Sequence, residues 1–150
     1  MDFNGSQTIN APRDIVWKCL NDAAMLQTCV PGCESFAESS PDHFNTVIVA
    51  SIGPVKARFK GALVLSDKVE ATSYRIAGTG EGGIAGFGKM TAEVLLADGE
   101  DGRTLLTYTA KADVGGKLAQ IGSRLVSSVA NKLADQFFQR FNANVSALSV

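Results

Sequence analysis

The chain has 150 residues, 45% hydrophobic and 19% charged, with a formal net charge of −1 and a pI near 5.8. That length predicts one domain over residues 1–150 with an ample core, and the near-neutral charge argues against nucleic acid as a partner. No stretch reaches the roughly 18–20 apolar residues of a membrane span, and Met1-Asp2-Phe3-Asn4 has no basic or apolar signal region, which predicts the cytoplasm.

Residues 2–9 alternate weakly through Phe3, Gly5, Gln7 and Ile9 and read as a first strand. Asn10-Ala11-Pro12 opens a helix whose buried face is Ile15, Val16, Cys19 and Leu20, with Trp17 beside it. Asn21-Asp22 breaks that helix and caps a shorter one through Met25, Leu26 and Val30, which Pro31-Gly32 ends. Strands follow at hairpin spacing over 34–38, 44–51, 55–66, 74–80, 90–96 and 104–114. From Gly116 to about Leu148, apolar residues recur at steps of three and four: Leu118, Ile121, Leu125, Val129, Leu133, Phe137, Phe141, Val145 and Leu148. That is one helical stripe. Segregated strands and helices predict an α+β fold: a curved antiparallel sheet of about six to seven strands wrapped around a long C-terminal helix, with two short helices after the first strand.

Period-two alternation assigns the faces. In residues 55–65, Val55, Ala57, Phe59, Gly61, Leu63 and Leu65 share one face, and Lys56, Arg58 and Lys60 share the other. Many inward positions are small, among them Gly61, Gly78, Gly80, Gly88, Ala92, Ala110 and Ala112, and the helix adds Ala119, Gly122, Ser123, Ala130 and Ala134. Small residues on both sides imply very close helix–sheet contact or an enclosed space. A curved sheet cannot touch a straight helix along its whole length. We therefore expect an apolar cavity bounded by Phe59, Gly61, Met90, Tyr108, Ala110, Leu125, Phe137 and Phe141. Ionisable groups are scarce on these faces, so its ligand is expected to be an apolar small molecule. A filled core is the alternative.

No motif predicts a catalytic residue, a metal or a bound nucleotide. Cys19, Cys29 and Cys33 are an odd set with one histidine, His43, far off in sequence, and read as free thiols rather than a zinc site. Residues 78–83 match G-x-G-x-x-G and residues 83–90 nearly match a phosphate loop, but a strand follows where both motifs need a helix. The run reads instead as glycine bulges that bend the sheet. His43 lies in a surface turn, and no carboxylate pair is spaced for acid–base work. The ladder Lys56, Arg58, Lys60 is a solvated face or a contact for an anionic membrane surface or an acidic partner.

The element order matches the helix-grip pattern of the START-like (SRPBCC) superfamily. Within it, the chain resembles the CoxG family, the G-type subunit of carbon monoxide dehydrogenase. The resemblance rests on Asn10-Ala11-Pro12 with Trp17, on residues 30–34, on residues 53–61 with their Gly-Pro…Phe-x-Gly pattern, and on the run from Gly78 to Gly88. It implies a hydrophobic-ligand carrier, accessory to a molybdenum-containing carbon monoxide dehydrogenase or related hydroxylase. It also implies a quinone or lipid as the bound molecule and peripheral contact with the inner face of the membrane. The expectation is a non-enzymatic carrier. The alternatives are a small cyclase or dehydratase, for which Gln7, Tyr108 and Thr109 are few polar groups, and a protein–protein module with a filled core.

Overall fold

Pro12 has no N–H to donate, and helix α1 (Arg13–Leu20) starts directly behind it. Its buried side is Val16, Cys19 and Leu20. Asp22 then accepts a hydrogen bond from the Met25 N–H (3.2 Å) and starts α2 (Ala23–Cys29). The computed structural model describes residues 1–148; the last two residues of the expected domain lie outside it.

Seven strands form one sheet: β1 (Asp2–Ile9), β2 (Cys33–Ser40), β3 (His43–Ile52), β4 (Val55–Val69), β5 (Ser73–Glu81), β6 (Phe87–Asp98) and β7 (Thr104–Gly115). Their order is β1-β7-β6-β5-β4-β3-β2, and every pair is antiparallel. Strands two to seven make a meander, and β1 closes onto β7. This is the expected α+β helix-grip architecture. The expected glycine bulges are absent. Pairing runs without a shift through Gly61, Gly78, Gly80 and Gly88, and the irregularities fall at Cys33/Ser35, Glu38/Ser40 and Ser66/Val69.

The expected single helix is two helices. Gly116 and Gly122 take left-handed φ values of 67° and 97°, and between them lies the short α3 (Lys117–Gln120). The long helix is α4 (Ser123–Leu148). A left-handed residue resets the helical phase, so one stripe cannot run through it. Val126, Phe141 and Val145 are buried on α4, whereas Leu125 is 39% and Leu148 60% exposed.

The antiparallel register gives the container two unlike ends. One end carries the β1–α1 turn, the turns at 41–42, 70–72 and 99–103, and the last turns of α4. It is densely packed, with Ile9, Val16, Cys29, Leu106, Phe141 and Val145 fully buried. There the Thr104 hydroxyl donates to the Ala11 carbonyl (2.7 Å), and Trp17 meets Tyr74 edge-on at 5.6 Å. The other end carries the turns at 53–54 and 82–86, then α3 and the start of α4.

Candidate functional site

Alternation along β4 to β7 turns Leu63, Leu65, Ile76, Met90, Val94 and Tyr108 toward α4, and Ala92, Ala110 and Ala112 occupy the same face. On α4, Ala130 and Ala134 meet them with methyl groups, which are too short to close the gap. A cavity of about 370 Å³ remains between sheet and helix. Leu26 of α2 and Val30 just after it wall one side, and Phe137 and Phe138 of α4 floor the dense end. The polar residues on its wall are Asn131, Tyr74 and Tyr108. The Tyr108 ring stacks on Phe138 with centroids 5.4 Å apart. Burial raises the pKa of both tyrosines, and the nearby Asp135 carboxylate adds to the effect at Tyr108.

A second space, also about 370 Å³, continues toward the other end. Thr46, Ile48, Ile52, Phe59, Val114 and Leu118 surround it, over a floor of Gly61, Gly78, Gly80 and Gly88. Both spaces share Val30, Phe36, Leu63, Met90 and Ala112 as walls. They form one apolar hollow, with the unbranched Met90 side chain at the junction.

The structure places the eight expected cavity residues in three groups. Met90, Tyr108, Ala110 and Phe137 line the inner space, and Phe59 and Gly61 line the outer one, where Met90 also reaches. Leu125 and Phe141 line neither. The phase reset at Gly122 turns Leu125 outward onto the β3–β4 turn, where a methyl group on Gly53 would lie 2.6 Å from its Cδ2. Phe141 is 0% exposed because it lies one turn deeper, stacked on Phe137 at 5.7 Å. Sequence reasoning missed Asn131, Leu26, Val30 and Thr46. Thr46 carried a legible signal, since it falls in phase with Phe44, Ile48 and Ala50.

Lys56, Arg58 and Lys60 project from the outer face of β4 and are exposed. Their charges are not equivalent. Arg58 reaches across β3 and grips Glu34 with both ends of its guanidinium, at 2.7 and 3.0 Å. That contact holds the Glu34 carboxyl below its ordinary range. Lys56 and Lys60 have no ion-pair partner among the described residues. The three cysteines are free thiols, and burial pushes Cys19 and Cys33 upward in pKa. No described helix is long and apolar enough to cross a membrane.

Comparison with known proteins agrees with this geometry. The family model for CoxG, the G-type subunit of carbon monoxide dehydrogenase, matches residues 5–146. A crystal structure of a conserved protein from Geobacillus kaustophilus is 31% identical, with a TM-score of 0.91, covering 98% of this chain and 96% of that one. A START superfamily protein from Mycobacterium smegmatis is 12% identical at a TM-score of 0.76, covering 98% of each chain. The Zhui aromatase/cyclase from Streptomyces sp. R1128 is 14% identical at 0.65, covering 97% of this chain and 93% of that one. The last two share the fold alone. No curated protein matches the chain.

Proposed function

The chain belongs to the carbon monoxide dehydrogenase CoxG family, and from that premise we propose that it is a non-catalytic carrier of an apolar small molecule, a quinone or a lipid-like chain. The observation that carries this reading is the pair of adjoining apolar spaces on the concave face of the sheet, the inner one walled by α4. An apolar guest that leaves water for this hollow gains roughly 0.8 kcal/mol for each buried methylene. The polar side chains on the wall are one amide and two phenols whose protons burial holds more tightly, and none of them is a ready general base, which disfavours a cyclase or dehydratase. Metal and nucleotide cofactors play no part in the proposal.

The partners in this reading are a carbon monoxide dehydrogenase-like molybdenum hydroxylase and, peripherally, the inner face of the membrane. Lys56 and Lys60 supply unpaired positive charge for an anionic surface, while Arg58 is partly neutralised by Glu34. The test is transfer of menaquinone from donor to acceptor vesicles. The carrier reading expects faster transfer in proportion to protein concentration. Transfer no faster than in buffer would refute it.

A further inference from the structure

The sheet has two edges, and they are not alike. At the β2 edge the strand is broken by two register shifts, α2 packs against it, and the Gln27 amide donates to the Glu34 carbonyl (3.1 Å). Irregular, covered edges discourage a further strand. β1, at the opposite edge, has none of these features. It runs for eight residues without a shift against β7 and contains no proline, lysine or arginine. Strands usually run about five to six residues, so this is a long, undefended edge.

Hydrogen-bond parity fixes which groups it presents. The Met1 ammonium donates to the Ala112 carbonyl (2.9 Å), and the Ala112 N–H donates to the Met1 carbonyl (2.9 Å). In an antiparallel ladder, pairs that exchange both bonds recur at every second residue. The exchanging pairs are therefore Phe3 with Ala110, Gly5 with Tyr108, Gln7 with Leu106 and Ile9 with Thr104. The N–H and C=O groups of Asp2, Asn4, Ser6 and Thr8 point the other way, out of the sheet. Among the described residues nothing bonds to them. The long helix leaves them free as well. A groove of about 540 Å³, lined by Gln7, Asn10, Gln139 and Asn142, lies between α4 and β1. The backbone bond that α4 accepts here comes from the Asn10 N–H to the Asn142 side chain (2.9 Å), past the end of the strand.

The chemistry of the edge indicates what covers it. Asp2 is the only charged side chain of β1, and Asn4, Ser6 and Thr8 are uncharged and exposed, so the edge has little to recruit a strongly charged partner. It does match itself. Placed antiparallel about Gly5, two copies of β1 set Asp2 opposite Thr8 of the second copy and Asn4 opposite Ser6 of the second copy. Every outward N–H and C=O of both strands then finds its counterpart, and no like charges face each other. A shift by two residues in either direction leaves Asp2 or Thr8 unpaired.

We propose that β1 is a docking edge for a second copy of this chain, whose own β1 joins it antiparallel about Gly5 and fuses the two seven-stranded sheets into one. The inference is independent of what the hollow carries.

A joint of one strand pair is a small interface, so wild type should pass from monomer to dimer between about 10 μM and about 1 mM in sedimentation velocity. Asn4→Asp/Ser6→Asp sets like charges opposite each other at two places in the joint, and should dimerise about tenfold more weakly or worse. Asn4→Asp/Ser6→Lys sets opposite charges there, and should dimerise at least as readily as wild type. Both positions are exposed, so the three proteins should share one thermal midpoint. Amide exchange at Asn4, Ser6 and Thr8 should be fast in dilute wild type and slow in concentrated wild type. A wild type that stays monomeric over the whole range, or equal dimerisation of the three proteins, would overturn the proposal. Protection of those three amides at every concentration would reveal a different occupant of the edge and would overturn it too.

Discussion

Ala134 on α4 is the most direct handle on the hollow. It lines the inner space with a methyl group, one turn from Asn131 on one side and from Phe137 and Phe138 on the other. Ala134→Leu adds three carbons to the cavity wall and costs little helix propensity, since leucine is a strong helix former. Each carbon removes space for one methylene of a guest that fills the cavity. At about 0.8 kcal/mol per methylene, the loss is about 2.4 kcal/mol, or about 50-fold in Kd. The protein itself should not suffer, because the new side chain fills an existing void rather than overpacking a tight core. Thermal unfolding should be unchanged or rise by a few degrees, since 1 kcal/mol corresponds to roughly 2–4 °C at this size. The assay is titration with N-phenyl-1-naphthylamine, a neutral probe that brightens in apolar surroundings, alongside a thermal scan. Weaker binding with an undiminished midpoint is the expected pair. Unaltered binding, or a midpoint lowered by 5 °C or more, would mean that the space beside Ala134 is not available to a guest.

Three further outcomes follow from the same geometry. A Lys56/Arg58/Lys60→Ser triple variant should lose co-sedimentation with anionic vesicles; wild-type binding should fall as salt rises, and equal sedimentation of both proteins would assign the ladder to solvent. Thr104→Val leaves the buried Ala11 carbonyl without its donor, and urea unfolding should show a loss of about 1–3 kcal/mol. Tyr74 and Tyr108 both hold their protons above the ordinary tyrosine value of about 10 when folded. The unfolded chain therefore ionises first, so stability is intact below pH 10 and declines above it. The Tyr74 phenolate should appear together with unfolding, and ionisation of both tyrosines in folded protein near pH 10 would contradict the burial of Tyr74.

The fold was legible where local chemistry is decisive. Pro12 and Asp22 mark the two short helices, and alternation along residues 55–65 sorts Phe59 from Lys60 before any neighbour is known. Inner-facing residues on strands were equally readable, which is why Met90, Tyr108 and Ala110 stand on the cavity wall. What failed was phase along the C-terminal helix. Gly122 offers no sequence cue that it will turn left-handed rather than continue a helix, and that one dihedral exchanges Leu125 for Val126 on the buried face. Depth was also hidden. Phe137 and Phe141 are equivalent on a helical wheel, but distance from the dense end decides that one lines space and the other packs solid. The Glu34–Arg58 grip skips a strand, so it depends on register and could not be read from spacing. Contributions from α2 depend on how that helix leans on the sheet.

The central claim is that the hollow holds an apolar guest, and the most direct measurement is mass spectrometry of organic extracts from the purified, undenatured chain. The account predicts a discrete apolar compound in near-stoichiometric amount from wild type, depleted in Ala134→Leu prepared in parallel. Extracts that match a buffer control, or that are identical for wild type and Ala134→Leu, would contradict it.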